Sequence, residues 1–563
     1  MDHLQETGAR RARWPVPQFV TGLLASFSTT GLIVGVLFFA ASLTPSLIPR
    51  PYVIQAVISG LSLSAGYAIG VFLRWLWSYL ELPDVRPKTG LIVKLLAALG
   101  CSLVVLTFLW RTAEWQNTVR TIMGLEPVES AEPFKLGLIA AVVFIVIVLL
   151  ARLFRLTFRF LARRFEYVLT RPLAKFAAIA AAVALFWSAT DGVIFRYALH
   201  AADSSFQRLD ALIDPDVAPP TDPMKTGSGA SLMTWDELGR QGRQYIASGP
   251  SAGDIGTFFG GEAKEPLRVY AGLNSAETAK ERAKLALDEL KRVGGFERSN
   301  LVVIVPTGTG WIDPPGVDSL EYLLKGDVAS VAVQYSYLTS WLSLLVEPEY
   351  GAETADALFD AVYGYWTTLP KDKRPRLYLY GLSLGSMNSQ GSVDPFDIIS
   401  DPFQGALWVG SPFPTKTWLQ ITGNRNPGSP EWRPLYRDGS VIRFTNQENT
   451  LAIPGAEWGN VRIVYLQYAS DPITFFDPYS FYREPDWMKA PRGPDVSPAL
   501  RWYPVVTMFQ LLADMAMATT TPIGYGHVYA PEHYIDAWMQ MVAPPGVTED
   551  DAARLKAQLK GRY

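Results

Sequence analysis

At 563 residues, 49% of them hydrophobic and only 18% charged, the chain is too long for one ordinary domain and too apolar for a wholly soluble one. Its net charge of −3 offers no basic excess for a phosphate backbone, so no nucleic acid is expected as a partner. The single cysteine, Cys101, sits inside an apolar run, which excludes an intramolecular disulfide, a cysteine-based zinc site and a cysteine nucleophile outside that run.

The apolar residues concentrate before residue 200. A membrane span needs about 20 of them, because the hydrocarbon core is roughly 30 Å thick. Five stretches are expected to form such helices: Val20–Leu43, Tyr52–Phe72, Leu91–Trp110, Leu136–Leu153 and Leu173–Ile194. The third carries Lys94 near one end, and the fifth carries Lys175 and Asp191 near its two ends, all within reach of the headgroups. A cleavable secretory signal would not account for the later spans.

Basic residues alternate between the connections. Arg10, Arg11 and Arg13 precede the first span, Arg74, Arg86 and Lys88 follow the second, and Arg152, Arg155, Arg159, Arg163, Arg164 and Arg171 collect between the fourth and fifth. The other connections hold Arg50 in one, and Arg111 and Arg120 offset by four glutamates in the other. Because basic loops stay in the cytoplasm, five spans put the N-terminus inside and everything after His200 outside. Four spans would leave the C-terminal part in the cytoplasm.

Residues 1–200 therefore read as a membrane domain of about five helices, 201–235 as a Pro-, Asp-, Gly- and Ser-containing linker, and 236–563 as a globular domain. In the last part, short β-rich runs alternate with helical patterns, the mark of a mostly parallel sheet flanked by helices. Strands are expected at Leu267–Ala271, Leu301–Val305, Val328–Tyr335, Arg376–Tyr380, Ala406–Val409 and Arg462–Gln467, with helices at Ala276–Val293 and Glu353–Thr368.

Gly381-Leu382-Ser383-Leu384-Gly385 directly follows one of these strands. Small residues two positions either side of a serine are what a nucleophile elbow requires, since the serine sits on a strained turn crowded by backbone. A serine nucleophile needs a general base, and only four histidines exist. His3 and His200 belong to the membrane half. His527, in a glycine-bracketed loop, is preferred over His533, which reads as a surface or capping residue at the start of the last helical pattern. The orienting acid should lie between serine and histidine after a late strand, and Asp471 does so. Asp477, Asp401 and Asp397 are its alternatives, and an Asp-Pro pair is also a common turn opener. Oxyanion donors are expected from the amide of Leu384 and from Thr307-Gly308-Thr309-Gly310, where the lysine of a phosphate-binding loop is missing. Trp311, Tyr335, Tyr337 and Trp341 are candidate substrate-lining residues, although aromatics in such places more often pack the core. No metal and no cofactor is expected.

Taken together, the chain resembles a bacterial membrane-anchored α/β-hydrolase family with an N-terminal multi-pass domain. In the membrane half the resemblance rests on Ser42-Leu-Thr-Pro-Ser-Leu-Ile-Pro-Arg50 and Gly66-Tyr-Ala-Ile-Gly70. In the second half it rests on Arg268-Val-Tyr-Ala-Gly-Leu273, Thr307-Gly-Thr-Gly-Trp311, Gln334-Tyr-Ser-Tyr337, Gly381-Leu-Ser-Leu-Gly385, Ala406-Leu-Trp-Val-Gly410 and Gly526-His527. It implies an α/β-hydrolase fold in the inner membrane with Ser383 as nucleophile. The expected activity is hydrolysis of carboxylic esters, with membrane lipids, aminoacylated ones included, as partners and substrates. The rivals are an amidase or peptidase using the same residues, and a scaffold or lipid-handling protein without catalysis.

Overall fold

The structure, a computed structural model, describes residues 27–83, 87–188, 210, 217–338 and 348–563. Five helices come first: α1 (Thr29–Ser42), α2 (Tyr52–Tyr79), α3 (Pro87–Ile122), α4 (Pro133–Phe165) and α5 (Arg171–Trp187). Among the described residues, three helices are long and apolar enough to cross a membrane: Tyr52–Tyr79, Ile92–Ile122 and Pro133–Phe165. The start of the first expected span and the end of the fifth lie outside the described residues.

Glycine brings α1 and α2 together. A Cβ on Gly35 would stand 2.8 Å from Leu63 O, and one on Gly66 would stand 2.8 Å from Val34 O. Such small-xxx-small faces, here Gly31/Gly35 against Gly66/Gly70, let two helix backbones approach closely. Helix α3 continues well past the expected end at Trp110, to Ile122. Val119 near its end, and Met123 just beyond it, belong to the same apolar cluster as the buried strand residues, as do Leu47 and Ile48 from the α1–α2 connection.

The sheet has seven strands: β1 (Leu267–Ala271), β2 (Asn300–Val305), β3 (Val328–Val333), β4 (Arg376–Leu382), β5 (Gly405–Val409), β6 (Ile442–Thr445) and β7 (Arg462–Leu466). Their order is β1-β3-β2-β4-β5-β7-β6, and every pairing is parallel. Parallel strands need crossovers that cover both faces, which explains why β1, β2, β3 and β5 are buried throughout. Helices α6 (Ala279–Arg292), α7 (Pro314–Leu323), α8 (Pro348–Thr368), α9 (Leu384–Gly391), α10 (Val506–Ala516), α11 (Pro531–Val542) and α12 (Glu549–Arg562) follow in chain order. One layer holds α6, α8 and α9, and the other α7, α11 and α12. Strand β6 escaped the sequence pattern because four residues on a sheet edge carry almost no periodicity.

Chain progression reverses between the neighbours β2 and β4: the next strand after β2 lies to one side, and the next after β4 to the other. The loops leaving their carboxyl ends therefore diverge and open a crevice, the place where sheets of this kind bind ligands.

Candidate active site

Ser383 stands at that crevice. It directly follows β4 and caps the start of α9 with φ +57° and ψ −127°, in a region costing about 1–3 kcal/mol for a residue with a side chain. The flanking glycines are sterically required. A Cβ on Gly385 would run into Val305 O of β2, and one on Gly381 would stand 2.6 Å from Ser386 N. The amide of Ser383 donates to Val409 O at 2.9 Å, tying the turn to β5.

His527 is held in place by its own loop. Gly526 has φ +57° and donates its amide to Ser470 Oγ at 2.9 Å, while the amide of His527 donates to Ala518 O at 3.0 Å. The ring lies 2.7 Å, Nδ1 to Oδ2, from the fully buried Asp471, just beyond β7. Oδ2 also accepts the Tyr529 hydroxyl at 2.7 Å, and Oδ1 accepts the amide of Ile473 at 2.8 Å. Asp471 is thus both the turn opener suggested by Asp-Pro and the acceptor for the imidazole. A carboxylate at Nδ1 selects the tautomer with its lone pair on Nε2. Among the described residues His527 Nε2 is buried without a hydrogen-bond partner, so Ser383 Oγ has not engaged it in this conformation. Contacts of this type commonly tighten only when substrate binds.

Ser383 and His527 line one cavity of about 550 Å³, together with Thr307, Thr309, Trp311, Asp313, Ile473 and Met515. That volume is ordinary for a small-molecule site. The loop after β2 departs from expectation in detail. The amide of Thr307 donates to Trp311 O at 2.9 Å and that of Gly310 to Thr307 O at 2.9 Å, so neither is directed at the crevice. Thr309 of the same loop also lines the cavity wall. Leu384 begins α9, where helix-start amides have no intrahelical acceptor.

Of the expected lining residues, only Trp311 meets this cavity. Tyr335 and Tyr337 line another, of about 740 Å³, with Asn274 and Arg282. The reason is strand order: β3 is separated from β4 by β2, so the loop leaving β3 opens away from Ser383. Trp341 lies outside the described residues. His533 is neither a free surface group nor a cap. Its Nδ1 is 2.5 Å from the Tyr468 hydroxyl, with burial lowering the ring's pKa. Asp401 is held by Arg374, and Asp477 caps the following turn through Tyr479 N.

Two parts of the site went unread in the sequence. Met515, Ala516, Ala518 and Thr519, which line one wall, lie at and just beyond the end of an apolar helix with no chemical signature. Asp313 sits in a second Asp-Pro turn, yet as N-cap of α7 it makes no capping bond and instead accepts the Tyr534 hydroxyl at 2.6 Å. Burial raises its pKa to about 7, against the pull of Tyr534 and His527. A carboxyl with a folded pKa above its unfolded value near 4 destabilises the fold as pH rises from about 4 to 7, by up to about 1.4 kcal/mol per unit. Asp313→Asn is therefore expected to raise the melting temperature at pH 8 and to change it little at pH 4.5. Equal shifts at both pH values would show that Asp313 is ionised in the fold across the range.

A family model described as "Alpha/beta-hydrolase family" matches residues 267–555, and one described as "Alpha/beta-hydrolase family N-terminus" matches residues 43–250. No curated protein and no solved structure matches the chain. With the first match running from β1 into α12, across the sheet, the serine elbow and the His527 loop, the chain belongs to the α/β-hydrolase family.

Proposed function

We propose that the protein is a membrane-anchored serine hydrolase that cleaves carboxylic esters. The observation that carries this reading is the line from buried Asp471 through His527, whose unpartnered Nε2 shares a cavity with a serine on a strained strand-to-helix turn. In the reaction, Ser383 Oγ attacks the ester carbonyl while His527 Nε2 takes its proton. The tetrahedral oxyanion is held by the amide of Leu384 and one from the Thr307–Gly310 loop. Collapse releases the alcohol, which receives the proton from His527, and leaves an acyl group on Ser383. Water, deprotonated by His527, then repeats the sequence and frees the acid. Asp471 holds the tautomer and stabilises the imidazolium.

Lipid esters, aminoacylated lipids among them, are the substrate class. The support is placement: the cavity wall at Met515 and Ala516 ends α10, which packs on α1 and α2. Sidedness follows from helix direction. The α1–α2 connection, poor in Arg and Lys, contacts the hydrolase part, whereas Arg74 and the Arg152–Arg164 series lie toward the far ends of α2 and α4. Basic ends tend to stay in the cytoplasm, and this supports a Ser383 that faces outward.

A membrane-impermeant fluorophosphonate tests chemistry and side together. It is expected to label Ser383 in intact cells, and lipid extracts incubated with the purified protein should yield free acids. Labelling only after lysis would place the site in the cytoplasm. Absence of labelling after lysis, with no acid released, would favour a scaffold, and release from amides alone an amidase.

A further inference from the structure

Where the helices meet the hydrolase part there is a second cavity, of about 510 Å³, lined among others by Arg50, Tyr52, Gln55, Gln116, Arg120 and Met517. Arg50 is its unusual member. Its side chain is 0% exposed, and among the described residues Nε, Nη1 and Nη2 all lack a hydrogen-bond partner. Its one ion-pair contact is loose, Nε standing 3.7 Å from Oδ1 of Asp514 in α10. The other oxygen of Asp514 is committed to Ser46 Oγ and to the amide of Leu47, at 3.1 Å for the latter. Gln55 adds a buried Oε1 without a partner. A buried guanidinium with its donors unmet is strongly unfavourable, and a planar fork of N–H groups matches phosphate oxygens. On the same wall Arg120 adds positive charge, and the lining acid, Glu132, is held by Lys135 at 3.1 Å.

We propose that this cavity binds the phosphate of a membrane lipid headgroup, with Arg50 as its principal ligand. Lipid is the expected source because of depth and lining. Arg50 stands two residues before Tyr52, the first residue of α2 and an aromatic of the kind that marks the interface, and Leu125, Val128 and Leu136 supply an apolar side for glycerol and acyl carbons. The site also touches the hydrolase cavity through one segment: Met517 and Thr520 face the phosphate cavity, while Met515, Ala516, Ala518 and Thr519 face Ser383. The proposal concerns binding and stands whether or not the protein cleaves esters.

Thermal melting of the full-length protein in detergent tests it, in a Ser383→Ala background so that hydrolysis cannot consume the ligand. Short-chain phosphatidylglycerol is expected to give a saturable rise of several degrees, while the matching diacylglycerol and inorganic phosphate at equal concentration give none. Two variants should abolish the rise. Ala131→Trp fills the cavity with the Arg50–Asp514 pair intact, and Arg50→Met with Asp514→Asn removes both charges so that neither is left unpaired. An unchanged rise in Ala131→Trp, or equal rises from the diacylglycerol, would overturn the phosphate site. An equal rise from inorganic phosphate would overturn the lipid source, and the absence of any rise would overturn both.

Discussion

Replacing Ser383 by Ala, His527 by Ala or Asp471 by Asn is expected to lower ester turnover by about 10⁴–10⁶-fold in each case, with no further loss on combination. In the proposed mechanism the three act as one device, so removing any member would disable the others. For Asp471 the effect comes through orientation: Oδ2 accepts from His527 and Tyr529 together, and an amide there would turn the imidazole to the wrong tautomer. His533→Ala should leave turnover nearly intact, because its ring contacts Tyr468 and does not line the Ser383 cavity. The measurement is kcat/KM on a chromogenic ester, with melting temperature as the control for folding. Normal turnover in His527→Ala, alongside loss in His533→Ala, would reassign the base.

The second large effect is on stability. Arg268 of β1 is buried with its Nη2 2.6 Å from Asp318 and 2.7 Å from Glu321, and its Nη1 donates to Tyr245 O at 2.7 Å. Burial raises Glu321 to about 7 even with this cation beside it. Arg268→Met would leave two carboxylates in the core without it, at a cost of about 3–5 kcal/mol. The deficit should be largest at pH 8 and shrink toward pH 5, where protonation in the fold relieves the uncompensated charge. Chemical denaturation at both pH values checks this. An unchanged midpoint, or a deficit independent of pH, would mean that the carboxylates are solvated or protonated throughout.

Much of the site was open to local reasoning. The Gly381–Gly385 spacing is a steric demand of one turn, and together with the β-type run directly before it this pointed to Ser383. The buried strands announced themselves as β-branched runs, and a chain with four histidines leaves little choice of partner. Asp471 was visible because it follows a late strand and lies between the serine and the histidine, although its Asp-Pro pair read equally as a turn opener. The long helices were visible for a similar reason: twenty apolar residues in series have few other uses.

What stayed hidden depends on which elements become neighbours. Tyr335 and Tyr337 follow a strand as promisingly as Thr307 does, yet the sheet places β2, not β3, beside β4. The use of the Thr307 amide within its own loop depends on how that loop closes on Trp311. Asp313 looks like any N-cap until Tyr534, 221 residues away, draws its side chain into the crevice. The pairing of Arg50 with Asp514 spans more of the chain still, and needs the α1–α2 connection and α10 to meet. Glycine spacing and apolar runs express forces that act within a few residues. Cavity walls, buried ion pairs and the destination of a side chain are decided by packing between distant segments, which only the folded chain brings together.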